Sequence, residues 1–291
     1  MHFLPKRASW LTIFAFSALN LAYFSFVVFW WLSHPDSLTI WIETASKGLL
    51  NQTLCLFFVP IVCLIFIFLI RIIKLKPADI GLRRDNLLAG MGIAVAFWSI
   101  AQLAHVGFVL ANHRGLNLNY IWTSMPFAFD GLGSYISLYA GNAFYEEVAF
   151  RGFLLTQILS RVMDTGKWNQ RNSIIISILS SQLIFAIIHL PSNTNSLHPI
   201  ALFLEQFVFG ILLALIYLMS RNLWICIGLH ALLNGPPPIM EPLLRPASAG
   251  LIALVAIVII AGWTSRGKKW LAEIRENPVP LGILKSMSQE A

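Results

Sequence analysis

The chain has 291 residues, of which 57% are apolar and only 11% charged, with a net charge of +7 and a mean hydropathy of +0.73. A soluble domain carries about 25% charged residues, so too few charges are present here to cover a water-facing surface. An ordinary soluble globule, a disordered chain and a coiled coil are excluded, and an all-α polytopic membrane bundle is expected. In such a protein the basic residues are topology markers before they are nucleic-acid contacts.

Lys6 and Arg7 precede an apolar run that continues to about Leu32. That run is too long for the core of a signal peptide, and no small-residue cleavage site closes it, so it reads as a retained first helix. About 20 apolar residues are needed to cross a bilayer as a helix. Eight segments qualify as candidates in chain order: Trp10 to Leu32, Leu50 to Ile70 with Pro60 inside it, Leu87 to Leu110, and Gly131 to Ser160 with two glutamates; then Ser173 to Leu190, stopped by Pro191, Pro199 to Ser220, the short Leu223 to Asn234, and Ser248 to Thr264.

Charge placement gives the expected orientation. With the N-terminus inside and strict alternation, sixteen Lys and Arg fall on inner segments and three, Lys47, Arg114 and Arg245, on outer ones, with Arg151 left within a span. The positive-inside rule therefore predicts N-in and C-in with eight spans. Three parts are expected: motif-free helices over 1–130, a core over 131–236, and a last helix with a basic cytoplasmic tail over 237–291. Cys55, Cys63 and Cys226 lie in apolar runs without a CxxC, so neither a disulfide framework nor a thiolate zinc site is expected.

Ionisable groups inside spans are costly and mark function. Here they are Glu146, Glu147, Arg151, Glu205, His105, His189 and His230, joined by the amides Asn142 and Asn234. Glu147 and Arg151 are four apart and share a helix face, so they can pair. Glu146 points about 100° away and faces another element. It is the formally unpaired acid, a condition that suits a general base. His189 closes the fifth span. His230 and Asn234 share a face of the seventh and can both donate to a developing oxyanion. An acid, an orienting histidine and a donor pair are the parts needed to activate water and hold a tetrahedral intermediate.

Glu146-Glu147-x-x-x-Arg151, Phe185-x-x-x-His189 and His230-x-x-x-Asn234, in this order, resemble the CPBP family. This is the CAAX-processing and bacteriocin-processing (Abi) group of glutamate-type intramembrane proteases. Gly152, Phe209-Gly210 and Leu223-Trp224 fit the same pattern, and the resemblance covers about Gly131 to Asn234. It implies that Glu146 is the general base, that His189 positions the water, and that His230 and Asn234 form the oxyanion hole. Glu147 and Arg151 would hold the local structure. No cofactor is expected; zinc stays open, since Glu and His are possible ligands, but a metal-free site is favoured.

The resemblance also implies a membrane-associated protein or peptide as substrate, the bilayer as the working medium and no nucleic-acid partner, in the plasma membrane of a prokaryote. CAAX-type cleavage acts on a cytoplasmic prenylated tail. The charge map instead puts the polar cluster toward the outer half, which favours a sorting tail, leader or outer-side peptide. Glu205 is read as lining the same cavity. No HExxH, GxSG, GxGD or Walker A sequence occurs, which removes the zinc site-2, rhomboid and presenilin types and an ATP-driven pump. The competing readings are a non-enzymatic immunity or scaffold factor and a proton-coupled transporter.

Overall fold

The computed structural model describes residues 8–29, 37–113, 115–119, 127–193, 198–235 and 240–241. The expected eighth span, the basic tail and the N-terminal Lys6 and Arg7 lie outside these residues. The described part is an all-α bundle of an integral membrane protein. Among the described residues, five helices are long and apolar enough to cross a membrane: Trp10–Val27, Thr53–Ile73, Arg84–Ala111, Gln170–Ile188 and Pro199–Ser220.

In chain order, α1 is Trp10–Phe29 and α2 is Ser37–Ala45. The third helix, α3, is Gln52–Val62 extended by Cys63–Ile73, where the hydrogen bonding widens to the π pattern. Asn51 starts it by accepting the Leu54 backbone N–H, satisfying one of the orphan donors at a helix N-terminus. Pro60 sits inside α3, as the sequence implied. Helix α4 is Leu87–Ala111.

The motif-bearing helix α5 runs 127–164 through the contiguous segments Phe127–Ser137, Leu138–Ala143, Phe144–Glu146, Glu147–Leu155 and Thr156–Asp164. Two of them, Leu138–Ala143 and Glu147–Leu155, are π-helical, a pattern often found at functional sites. Helix α6 is Gln170–Ile188, followed by the single turn α7, Leu190–Asn193. Pro191 lies in that turn's start, where the missing N–H costs nothing. Helices α8, Pro199–Ser220, and α9, Leu223–Asn234, complete the bundle. A two-residue pairing, β1 (Asn117–Leu118) with β2 (Met240–Glu241), is antiparallel.

Helix α5 is the centre. Val148, Ala149, Phe150, Arg151, Phe153, Leu154 and Leu155 have no exposed surface. The outer helices instead present large apolar side chains outward, among them Leu11, Phe14, Leu19, Phe58, Leu88, Leu103 and Ile200. An apolar surface that extensive fits lipid rather than water. The fourth expected span is absent from the five apolar helices for the same reason. A helix enclosed by protein need not be apolar itself, provided its neighbours satisfy its polar groups.

Pairings fix the relative helix directions. Ala8 meets Gln157 and Asn20 meets Tyr145, so α1 runs antiparallel to α5. Asn51 meets Ser137 and Phe57 meets Tyr145, so α3 runs parallel to α5. Gly90 lies against Trp224 and Gly228 against Ala94, so α4 and α9 run parallel with a constant offset of 134 positions. These are the directions that strict alternation along the chain requires.

The same offset sets the depth of the site. It places Asn234 beside residue 100 of α4, about 16 Å short of that helix's end at 1.5 Å per residue. Helix α9, with 12 residues, is about 18 Å long, shorter than a hydrocarbon layer of about 30 Å.

A Cβ at Gly90 would lie 2.5 Å from Trp224 Cβ, whereas one at Gly92 meets nothing within 4 Å. Gly90→Ala should therefore cost about 1–3 kcal/mol by forcing α4 from α9, while Gly92→Ala on the same helix leaves the melting temperature of detergent-purified protein unchanged or slightly raised. Equal melting of the two variants would contradict the α4–α9 contact.

Candidate active site

The six site residues expected from the sequence, Glu146, Glu147, Arg151, His189, His230 and Asn234, converge on one point of the bundle. Glu146, Glu147 and Arg151 are supplied by α5, His189 by the end of α6, and His230 and Asn234 by α9.

Glu147 anchors the cluster. Its Oε1 accepts from Arg151 Nη1 at 2.8 Å and from His230 Nδ1 at 2.7 Å. Both side chains of the ion pair are fully buried. Such a pair offsets its desolvation only when further hydrogen bonds satisfy its remaining atoms. Arg151 gains a long bond to the Gly210 carbonyl, 3.5 Å, and its guanidinium carbon lies 4.3 Å from the Phe185 ring centre, a cation–π contact. The close approach explains Gly210 in the sequence pattern: a Cβ there would meet Gln182 Oε1 at 2.8 Å.

Glu146 is 1% exposed and faces away from that pair. Its Oε1 accepts from Asn142 Nδ2 at 2.6 Å. Its Oε2 is buried and accepts no hydrogen bond, and it lies 3.5 Å from His230 Nε2 and 3.7 Å from His189 Nε2.

The two imidazoles are oriented by their other nitrogens. His189 caps α6 at Ile188, and its Nδ1 lies 2.8 Å from the Phe185 carbonyl, one of the carbonyls left open where the helix ends. A carbonyl only accepts, so Nδ1 donates. The Nδ1 of His230 likewise donates to the Glu147 carboxylate. Both histidines therefore turn Nε2 toward Glu146 Oε2. Phe185 packs between them, with ring centres 4.6 Å from His189 and 6.2 Å from His230. Phe24 of α1 closes the far side of His189 at 5.7 Å.

Asn234 is exposed at the open end of the cluster, and its Nδ2 donates to Asn142 Oδ1 at 3.0 Å. Asn142 was legible in the sequence only as an amide within a span; the structure places it between Glu146 and Asn234. Glu205 is half-buried on α8 and makes no hydrogen bond to the cluster. His105 is buried on α4 with Nε2 unpartnered. Among the described residues no group of three His, Cys, Asp or Glu is placed to hold a metal ion.

A family model described as Type II CAAX prenyl endopeptidase Rce1-like matches residues 128–235. The match begins in α5 and ends one residue beyond Asn234, so it includes all six of these residues. It agrees with the CAAX-protease resemblance carried by the three motifs. No curated protein matches. No solved structure matches either.

Removing one partner of a buried pair leaves a buried charge and costs about 3–5 kcal/mol. Arg151→Leu should therefore lower the thermal stability and membrane accumulation sharply, whereas Arg151→Leu combined with Glu147→Leu recovers part of the loss. Thermal unfolding of the two variants in detergent checks this, and a single variant as stable as wild type would contradict the anchoring role.

Proposed function

We propose that the chain is a glutamate-type intramembrane endopeptidase of a prokaryotic plasma membrane, cutting a membrane-associated protein or peptide near its end. The observation that carries this reading is the buried, unpartnered Glu146 Oε2 facing two imidazole Nε2 atoms. A water at the apex of those three atoms can give one proton to Glu146 while its oxygen attacks the scissile carbonyl carbon. His189 holds the water. The resulting oxyanion accepts N–H bonds from His230 Nε2 and Asn234 Nδ2. The proton held by Glu146 then passes to the amide nitrogen as the C–N bond breaks, leaving a carboxyl and an amine.

Charge balance supports the assignment. Glu146, Glu147 and Arg151 sum to one negative charge. Donation from His230 Nε2 while Nδ1–H stays on Glu147 requires a proton on both ring nitrogens, which would also balance that charge. Burial without that balance costs several kcal/mol per ion.

With the N-terminus inside, as the charge asymmetry favours, the exposed Asn234 end opens toward the outer half of the bilayer. A tail, leader or peptide reached from that side fits better than a cytoplasmic prenylated tail. The bilayer is the medium, and nucleic acid has no place in the reaction.

Comparison of membrane-protein termini in cells carrying wild type or Glu146→Gln tests the proposal. New termini should depend on wild type while the variant accumulates normally; identical termini would leave a scaffold or immunity role instead. Cleavage is also metal-free in this reading, so it should persist after exhaustive chelation. Loss that zinc alone restores would move the site to the metalloenzymes.

A further inference from the structure

We infer that Asn142 is a positioning residue that sets the base and the oxyanion donor together, an inference that rests on the protease reading. Its carboxamide spends both ends on the site. Nδ2 donates to Glu146 Oε1 at 2.6 Å, and Oδ1 accepts from Asn234 Nδ2 at 3.0 Å. The three sequence motifs leave Asn142 without a role.

The first bond fixes which oxygen of Glu146 reacts. With Oε1 held by Asn142, Oε2 is the oxygen left facing His189 and His230. A donor on Oε1 also stabilises the ionised carboxylate, the form that takes a proton from water. The second bond fixes Asn234. Its amide has two N–H groups; holding one on Oδ1 sets the plane of the amide and aims the other.

Local structure explains why Asn142 reaches both. It lies one turn before Glu146, in the π-helical segment Leu138–Ala143. The end of α9 packs on that segment: a Cβ at Gly235 would lie 2.8 Å from Leu138 Cδ1. Asn234 is thereby delivered to Asn142 across the helix contact. An exposed helical asparagine would instead hydrate or bond the carbonyl four residues back, as Asn112 does to Phe108.

Two variants separate the bonds. Asn142→Ala removes both, and Asn142→Asp keeps an acceptor for Asn234 while removing the donor to Glu146. The kinetic probe is a quenched fluorescent peptide spanning a cleavage that wild type makes and Glu146→Gln does not. Asn142→Ala should lower kcat about 10- to 100-fold, as loss of alignment does, with KM nearly unchanged. The acid limb of its kcat profile should move toward neutral pH, and further still in Asn142→Asp, where two carboxylates face each other.

Infrared difference spectra supply a readout that needs no substrate. The carboxylate band lost in Glu146→Gln should shift in both Asn142 variants. An unshifted band overturns the inference, and so does a shifted band with wild-type kcat and pH profile. A uniform fall in kcat with an unmoved acid limb reduces Asn142 to packing and overturns it too. If wild type and Glu146→Gln leave identical termini, the protease reading itself fails and the positioning role falls with it, while the band still decides whether Asn142 holds the acid.

Discussion

Burying two adjacent carboxylates in a bundle surrounded by lipid is the constraint from which the rest of the structure follows. Hydrocarbon offers no hydrogen bonds, and an unsatisfied polar group there costs several kcal/mol. Every partner of Glu146 and Glu147 must therefore come from protein. Arg151 and Asn142 come from the same helix, four residues away on either side. The others come from α6 and α9. The helix that carries the acids is consequently the one the others surround, and its middle is buried throughout from Val148 to Leu155, with Ile80 packed against Gly152.

Within that enclosure the two acids are given different tasks by their surroundings. Glu147 accepts from a guanidinium and an imidazole through one oxygen, which ties α5 to α9. It is a fixed anion. Glu146 receives one neutral donor and turns its second oxygen to a pair of imidazole nitrogens. A carboxylate arranged in that way can exchange a proton without breaking the Glu147–Arg151 ion pair. The contrast between a paired acid and a nearby unpaired one separates structural from reactive carboxylates in many enzymes.

Close helix approach is the second requirement. Gly90 and Gly228 let α4 and α9 touch along a shared register, and Gly210 lets α8 reach Gln182 and Arg151. Small residues at helix crossings drive packing in membranes, where no hydrophobic effect separates helix from lipid. The short α9 follows from the same geometry. Ending well before α4 does, it carries His230 and Asn234 to the level of Glu146 rather than past it.

Much of this was written in the chain itself. The scarcity of charge fixed the solvent as lipid, and runs of about 20 apolar residues located α1, α3, α4, α6 and α8. The i, i+4 spacing of Glu147 and Arg151 specified their pairing, because a helix puts those positions on one face whatever surrounds it. Rare polar residues in spans picked out the candidate site for the same reason: lipid makes them too costly to be incidental.

Contacts between helices were not legible. That His230 would bond Glu147 rather than stand free, and that Asn142 would join Glu146 to Asn234, depend on rotations of α5 and α9 about their axes. Those rotations are set by where glycines permit approach and by which surfaces Phe24 and Phe185 fill, and periodicity within one helix carries no information about its neighbour's register. The local spacing therefore specified which groups could act, and only the packing of separate helices decided which atoms face one another.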